Sequence, residues 1–146
     1  MKVRPAALII RDQHLLVMRY RYGTSDVFML PGGNQDPGET LSDTIKREIQ
    51  EELTLDVKTS KMVICGEVIS WPNKEDTLHC IFEAEITSGT PVLNPKHTSA
   101  KEIVWLPIAE LASKHIYPNV GHAILQLQAG ELSYYHIGRI DQPFVK

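Results

Sequence analysis

Glu48, Glu51 and Glu52 stand together in the segment Arg47-Glu48-Ile49-Gln50-Glu51-Glu52. On an α-helix, positions three and four apart are neighbours, so these carboxylates gather on one side. Like charges placed this way repel, at about a few tenths of a kcal/mol per pair in an isolated helix. A divalent cation reverses the sign of that interaction. Carboxylate oxygens are hard ligands, and a few of them completed by substrate phosphates suit Mg2+ or Mn2+.

The surrounding residues supply the helix that such a cluster needs. Pro37-Gly38 marks a turn, and Thr40 is an N-cap whose bond Asp43, three residues on, is able to return. From there Leu41, Ile45, Ile49 and Leu53 recur every fourth position and make one apolar stripe, with the glutamates beside it. Upstream, Gly32-Gly33 permits a close backbone approach, so a carbonyl at this turn is a candidate metal ligand.

Taken in order, the chain places Gly33, Glu39, Arg47-Glu48, Ile49, Glu51-Glu52, Thr54 and Leu55 at spacings that resemble the Nudix box, the signature of the Nudix hydrolase family. The lead-in Phe28-Met29-Leu30-Pro31-Gly32-Gly33 and a later Trp-Leu-Pro segment extend the likeness. One position departs from the box, with Thr54 standing where the family has glycine. A β-branched residue held at positive φ costs roughly 1 kcal/mol or more, so the helix is expected to end by a different turn.

The resemblance implies an α+β Nudix fold, a mixed β-sheet sandwiched between α-helices, spanning residues 1–146 as one domain. It implies that Glu48, Glu51 and Glu52 hold one or more Mg2+ (or Mn2+) ions with a carbonyl at Gly32 or Gly33. Glu39 and Arg47 would orient the loop and the glutamates. Water on or near the metal would attack phosphorus, giving up its proton to one of the glutamates or to a residue from outside the box, for which His97 and Glu102 are the first candidates. The reaction expected is cleavage of the pyrophosphate of a nucleoside diphosphate linked to another group. ADP-ribose-like compounds are suggested by Trp71-Pro72, with nucleoside triphosphates as the alternative. A non-catalytic nucleotide-binding module of the same fold would be expected to lose box glutamates, and none is lost. A prenyl diphosphate isomerase would need a reactive cysteine near the site, whereas Cys65 and Cys80 lie in apolar, strand-like contexts.

Composition sets the outer bounds. A chain of 146 residues, 42% hydrophobic, is large enough to bury a core. Its net charge of −3 argues against nonspecific nucleic-acid binding and leaves recognition of small anions to metal and local basic residues. Two cysteines read as buried free thiols in a reducing cytoplasm, and the apolar run Ala6 to Ile10 is too short to span a membrane.

Val3 to Ile10 and His14 to Tyr20 read as a hairpin turning at Arg11-Asp12-Gln13. Arg19 and Arg21 alternate with Tyr20 and Tyr22, and either guanidinium has the geometry to reach a substrate phosphate. Gly23 to Asp26 reads as a loop and Val27 to Leu30 as a short strand. Asp56 to Ser70 suggests two strands, Leu78 to Ile86 another, with His79 partly exposed. Thr87 to Ala100 is irregular, a loop length that often carries function. Ile103 to Leu106 is a strand and Ile108 to Ser113 a short helix. A second amphipathic helix over 120–129 follows, with Asn119 as its N-cap. Family members that clear oxidised nucleotides suggest a second role for Asn119, contact with a nucleobase. The tail from Glu131, with Tyr134, Tyr135 and Phe144, is aromatic enough to pack on the domain or on a second subunit, which would make a homodimer.

Overall fold

The computed structural model describes residues 1–143. Among these residues nine strands form two mixed sheets. In the first sheet the order is β1 (Lys2–Leu8), β6 (Thr77–Ser88), β5 (Asp56–Val68), β9 (His136–Arg139), with β1 parallel to β6 and β9 parallel to β5. In the second, β3 (His14–Tyr22) has β7 (Glu102–Pro107) on one edge. On its other edge lie β2 (Ile10–Arg11) and then β4 (Ser25–Met29), and β4 carries β8 (Ile116–Tyr117) in parallel.

Helix α1 (Leu41–Leu53) buries Ile45, Ile49 and Leu53 against Ala7, Ile9, Leu16, Met18 and Val57. Helix α2 (Gly121–Gln128) closes the opposite side, where Ala123 and Ile124 join Ala6, Leu8, Leu15, Val17, Ile64 and Ile81. Neighbours along one strand therefore serve opposite clusters. This is why 6–9 and 15–18 read as unbroken apolar runs instead of alternating ones: both faces are covered.

Three expectations are corrected. The run Val3 to Ile10 is not one arm of a hairpin. The chain changes sheets after Leu8, and only Ile10–Arg11 turns back on His14 and Leu15, through Asp12 and Gln13, both at positive φ. Asp56 to Ser70 contains one thirteen-residue strand, Asp56–Val68, whose pairing with β6 slips at three places, so its broken periodicity reflects bulges and not a turn. The strand expected from Val27 begins at Ser25, in a hairpin with β3.

The sheets' closure decides the rest. Cys80 is buried and Cys65 half-buried; both are free thiols facing each other across β5 and β6. Residues 136–139 of the tail add a strand to β5, with Tyr134 and Tyr135 exposed, while Phe144 lies outside the described residues. No helix of the described residues is long and apolar enough to cross a membrane.

Candidate active site

Helix α1 starts as its residues require. Thr40 Oγ1 accepts from the Asp43 N–H at 3.1 Å, and Asp43 Oδ2 accepts from the Thr40 N–H at 3.0 Å, closing a capping box. The loop before it is tied down by β1, since the Gly33 N–H donates to Pro5 O at 3.2 Å and the Gln35 N–H to Val3 O at 3.0 Å. Gly32 bridges Ala6, and the bonds of that bridge come from its neighbours on either side, leaving the Gly32 carbonyl unspent there. At Gly33 a Cβ would land on the Glu48 carboxylate. A side chain there would push Glu48 out of its place.

Arg47 gathers the acidic residues. Its Nε donates to Glu39 Oε2 at 2.7 Å and its Nη2 to Glu39 Oε1 at 3.0 Å, a two-pronged pair. The same guanidinium donates to Glu48 Oε1 at 3.0 Å, Glu51 Oε2 at 3.5 Å and the Asn34 carbonyl at 3.3 Å, with Asp36 at 3.3 Å. Arg47 holds the Glu39 carboxyl down at about 2. Glu52 goes the other way: burial first, then its hydrogen bond to Glu48 and the charge of Glu48, push it up to about 8. A neighbouring carboxylate this close disfavours the ionised form of Glu52.

The helix ends with Thr54 at φ 58° and ψ 37°, in the left-handed conformation that its side chain disfavours, so the expected different turn is corrected. The loop after β6 compensates. Thr54 Oγ1 donates to Val92 O at 3.4 Å, the Val92 N–H to Leu53 O at 2.9 Å and the Asn94 N–H to Glu52 O at 2.9 Å. Asn94 O then accepts the N–H of His97 at 3.0 Å, and this turn sets His97 Nδ1 3.9 Å from Glu51 Oε2.

Other candidates are engaged elsewhere. Glu102 accepts from Arg19 Nε at 2.9 Å, and Asp26 takes Arg19 at 3.2 Å and Arg21 at 2.9 Å. Asn119 is not the cap of α2. Val120 holds that position without a side-chain bond, and Asn119 donates through Nδ2 to Asp141 O at 2.9 Å and through its N–H to Gln142 Oε1 at 3.0 Å. His79 is corrected as well, since it is fully buried, edge-on to Tyr117, and pushed down to about 3 by burial and then by Arg4. Arg4, opposite His79 on β1, had no sequence signal beyond a charge in an apolar strand.

The NUDIX domain family matches residues 1–127. The chain belongs to that family. Among curated Nudix relatives, a protein of Chromobacterium violaceum named NAD-capped RNA hydrolase NudC is 24% identical over 127 residues, 86% of this chain and 46% of its own. The protein of that name from Shigella flexneri is 33% identical over 88 residues, 60% of this chain and 33% of its own. The chain thus spans less than half the length of these relatives. A NUDIX hydrolase structure from Nitrosomonas europaea superposes with a TM-score of 0.71 at 23% identity, covering 89% of this chain and 90% of that one. A Streptococcus suis structure described as an ADP-ribose pyrophosphatase gives 0.65 at 19%, covering 96% and 98%. These likenesses establish the Nudix fold, two mixed sheets between helices.

Proposed function

We propose that the chain is a divalent-metal-dependent hydrolase that cleaves the pyrophosphate of a nucleoside diphosphate joined to another group. The observation that carries this reading is the crowding of Glu48 and Glu52, both half-buried on one side of α1, with Glu48 pressed against Gly33. Among the described residues no three His, Cys, Asp or Glu side chains converge as a finished metal cage, and Arg47 is paired with Glu48 and Glu51. The donor set still fits Mg2+, which is commonly held by one or two carboxylates with waters and substrate phosphates completing its shell.

Glu48, Glu51 and Glu52 would hold the cation, with the Gly32 carbonyl beside them. Bound there, the metal would supply charge neutralisation at phosphorus and acidify water. Arg47, fixed by Glu39, keeps Glu48 and Glu51 in place. A proton from the attacking water passes to a carboxylate of the set or to His97, which the structure sets against Glu51. Glu102 is held by Arg19. The substrate reading favours two moieties joined through pyrophosphate, in keeping with the names of the relatives, ADP-ribose-like compounds included.

The test is product release from ADP-ribose, other nucleotide sugars, dinucleoside polyphosphates, NAD-capped RNA and nucleoside triphosphates, with Mg2+ and with chelator. Metal-dependent turnover of a linked diphosphate is expected, and Glu52→Gln should lower it by about 100-fold or more. Preference for triphosphates would replace the substrate assignment; binding without turnover would make the chain a nucleotide-binding module.

A further inference from the structure

Arg4 is buried to all but 8% of its surface, yet among the described residues its Nη1 has no hydrogen-bond partner and its Nη2 donates only to Leu30 O, at 3.3 Å. A guanidinium carries five N–H donors and does not shed its charge in a protein. Burial works against that charge, and the Tyr117 ring lies 5.2 Å from the guanidinium carbon. Its neighbour across the strand, His79, stays neutral.

Arg4 also lines a cavity of about 230 Å3 with Lys2, Tyr22, Met29, Asn34, Thr77 and Tyr117. The cavity opens where the two sheets meet: Lys2 and Arg4 share one face of β1, Thr77 starts β6, and Met29 pairs with Tyr117. Among the described residues no carboxylate lines it. Asn34 connects it to the glutamates, since its carbonyl receives Arg47. An acidic cluster suited to a cation and a basic cavity suited to an anion thus adjoin in a chain of net charge −3.

We propose that this cavity binds a phosphoryl group of the substrate and that Arg4 is its principal donor, with Lys2 at its mouth. The assignment rests on reading the glutamates as the hydrolytic centre, which would hold the neighbouring phosphate through its cation. Arg4 thereby selects anhydrides with a phosphoryl group beyond the one held by the metal, and places the scissile bond between the two sites.

The experiment is calorimetric titration of inorganic tripolyphosphate into the Glu52→Gln protein in chelator, so that no metal contributes. Binding is expected, and adding Arg4→Met should weaken it about 10-fold or more, the worth of a charge-assisted hydrogen bond. Arg4→Lys keeps the charge but loses the fork and should weaken it less, as should Lys2→Met at an exposed position. In the Glu52-intact enzyme, Arg4→Met should raise KM more than it lowers kcat. Equal affinity in all variants, absence of binding to the parent, or an uncharged nucleoside competing as well as tripolyphosphate would overturn the proposal. If Arg4→Met does not fold, an unchanged affinity in both Arg4→Lys and Lys2→Met overturns it. Should Glu52→Gln retain full turnover while Arg4 still governs tripolyphosphate binding, the hydrolytic centre is misplaced but the anion site stands.

Discussion

Two arginines flank the glutamates and are used in opposite ways. Arg47 spends its guanidinium on Glu39, Glu48, Glu51, Asp36 and the Asn34 carbonyl. Arg4 has one carbonyl and an aromatic face. Arg47 comes from the same short stretch as its partners, whereas Arg4 is enclosed by residues drawn from both sheets. A guanidinium with every donor placed organises its neighbours, while one buried with donors to spare is suited to a ligand that brings acceptors.

The sharpest way to break this contrast is Arg47→Lys. Lysine keeps the charge but cannot grip Glu39 with two parallel bonds, so Glu48 and Glu51 lose their orientation. Activity should fall about 10- to 100-fold, the usual effect of losing a residue that orients metal ligands, which is the role proposed above for Arg47. Near-wild-type activity at saturating Mg2+ would show that Arg47 organises the loop without mattering to the reaction.

A second test uses pH, because the two regions carry opposite slopes. Glu52, raised to about 8, binds a proton in the folded protein that the unfolded chain releases near its ordinary value of 4.5. Its contribution is therefore full below 4.5 and lost as pH rises toward about 8. His79, lowered to about 3 from 6.5, works in reverse, since the unfolded chain takes up a proton as pH falls through 6.5 and the folded one does not until about 3. Melting temperatures in chelator should fall toward alkaline pH through Glu52 and toward acid through His79. Glu52→Gln should flatten only the first slope and His79→Phe only the second. One variant altering both would mean that the regions titrate as a unit.

The smallest expected effect is at Thr54, where local preference and tertiary structure disagree. Thr54→Gly relieves a β-branched residue at φ 58° but gives up the bond to Val92 O. The net gain should be about 1 kcal/mol or less, or about 2–4 °C in Tm for a chain of this size. A lower Tm would show that the Thr54 hydroxyl, tying α1 to the loop that carries His97, outweighs the strain.

The sequence by itself determined the parts governed by neighbours three and four residues apart: the Thr40 and Asp43 cap, the Ile45, Ile49 and Leu53 stripe, and the glutamate face. Helix hydrogen bonds and side-chain spacing are local, so their residues declare themselves. The tertiary structure alone decided what depends on a distant partner. It divided β1 from β2 between two sheets, merged Asp56–Val68 into one bulged strand, buried His79 beside Tyr117, and turned Asn119 to the tail. It also held Thr54 left-handed against the 89–94 loop and enclosed Arg4 with an unpaired donor beside the glutamates. Strand pairing and burial are settled by which segments meet across the fold, and single-strand periodicity carries no record of that when both faces of the sheet are covered.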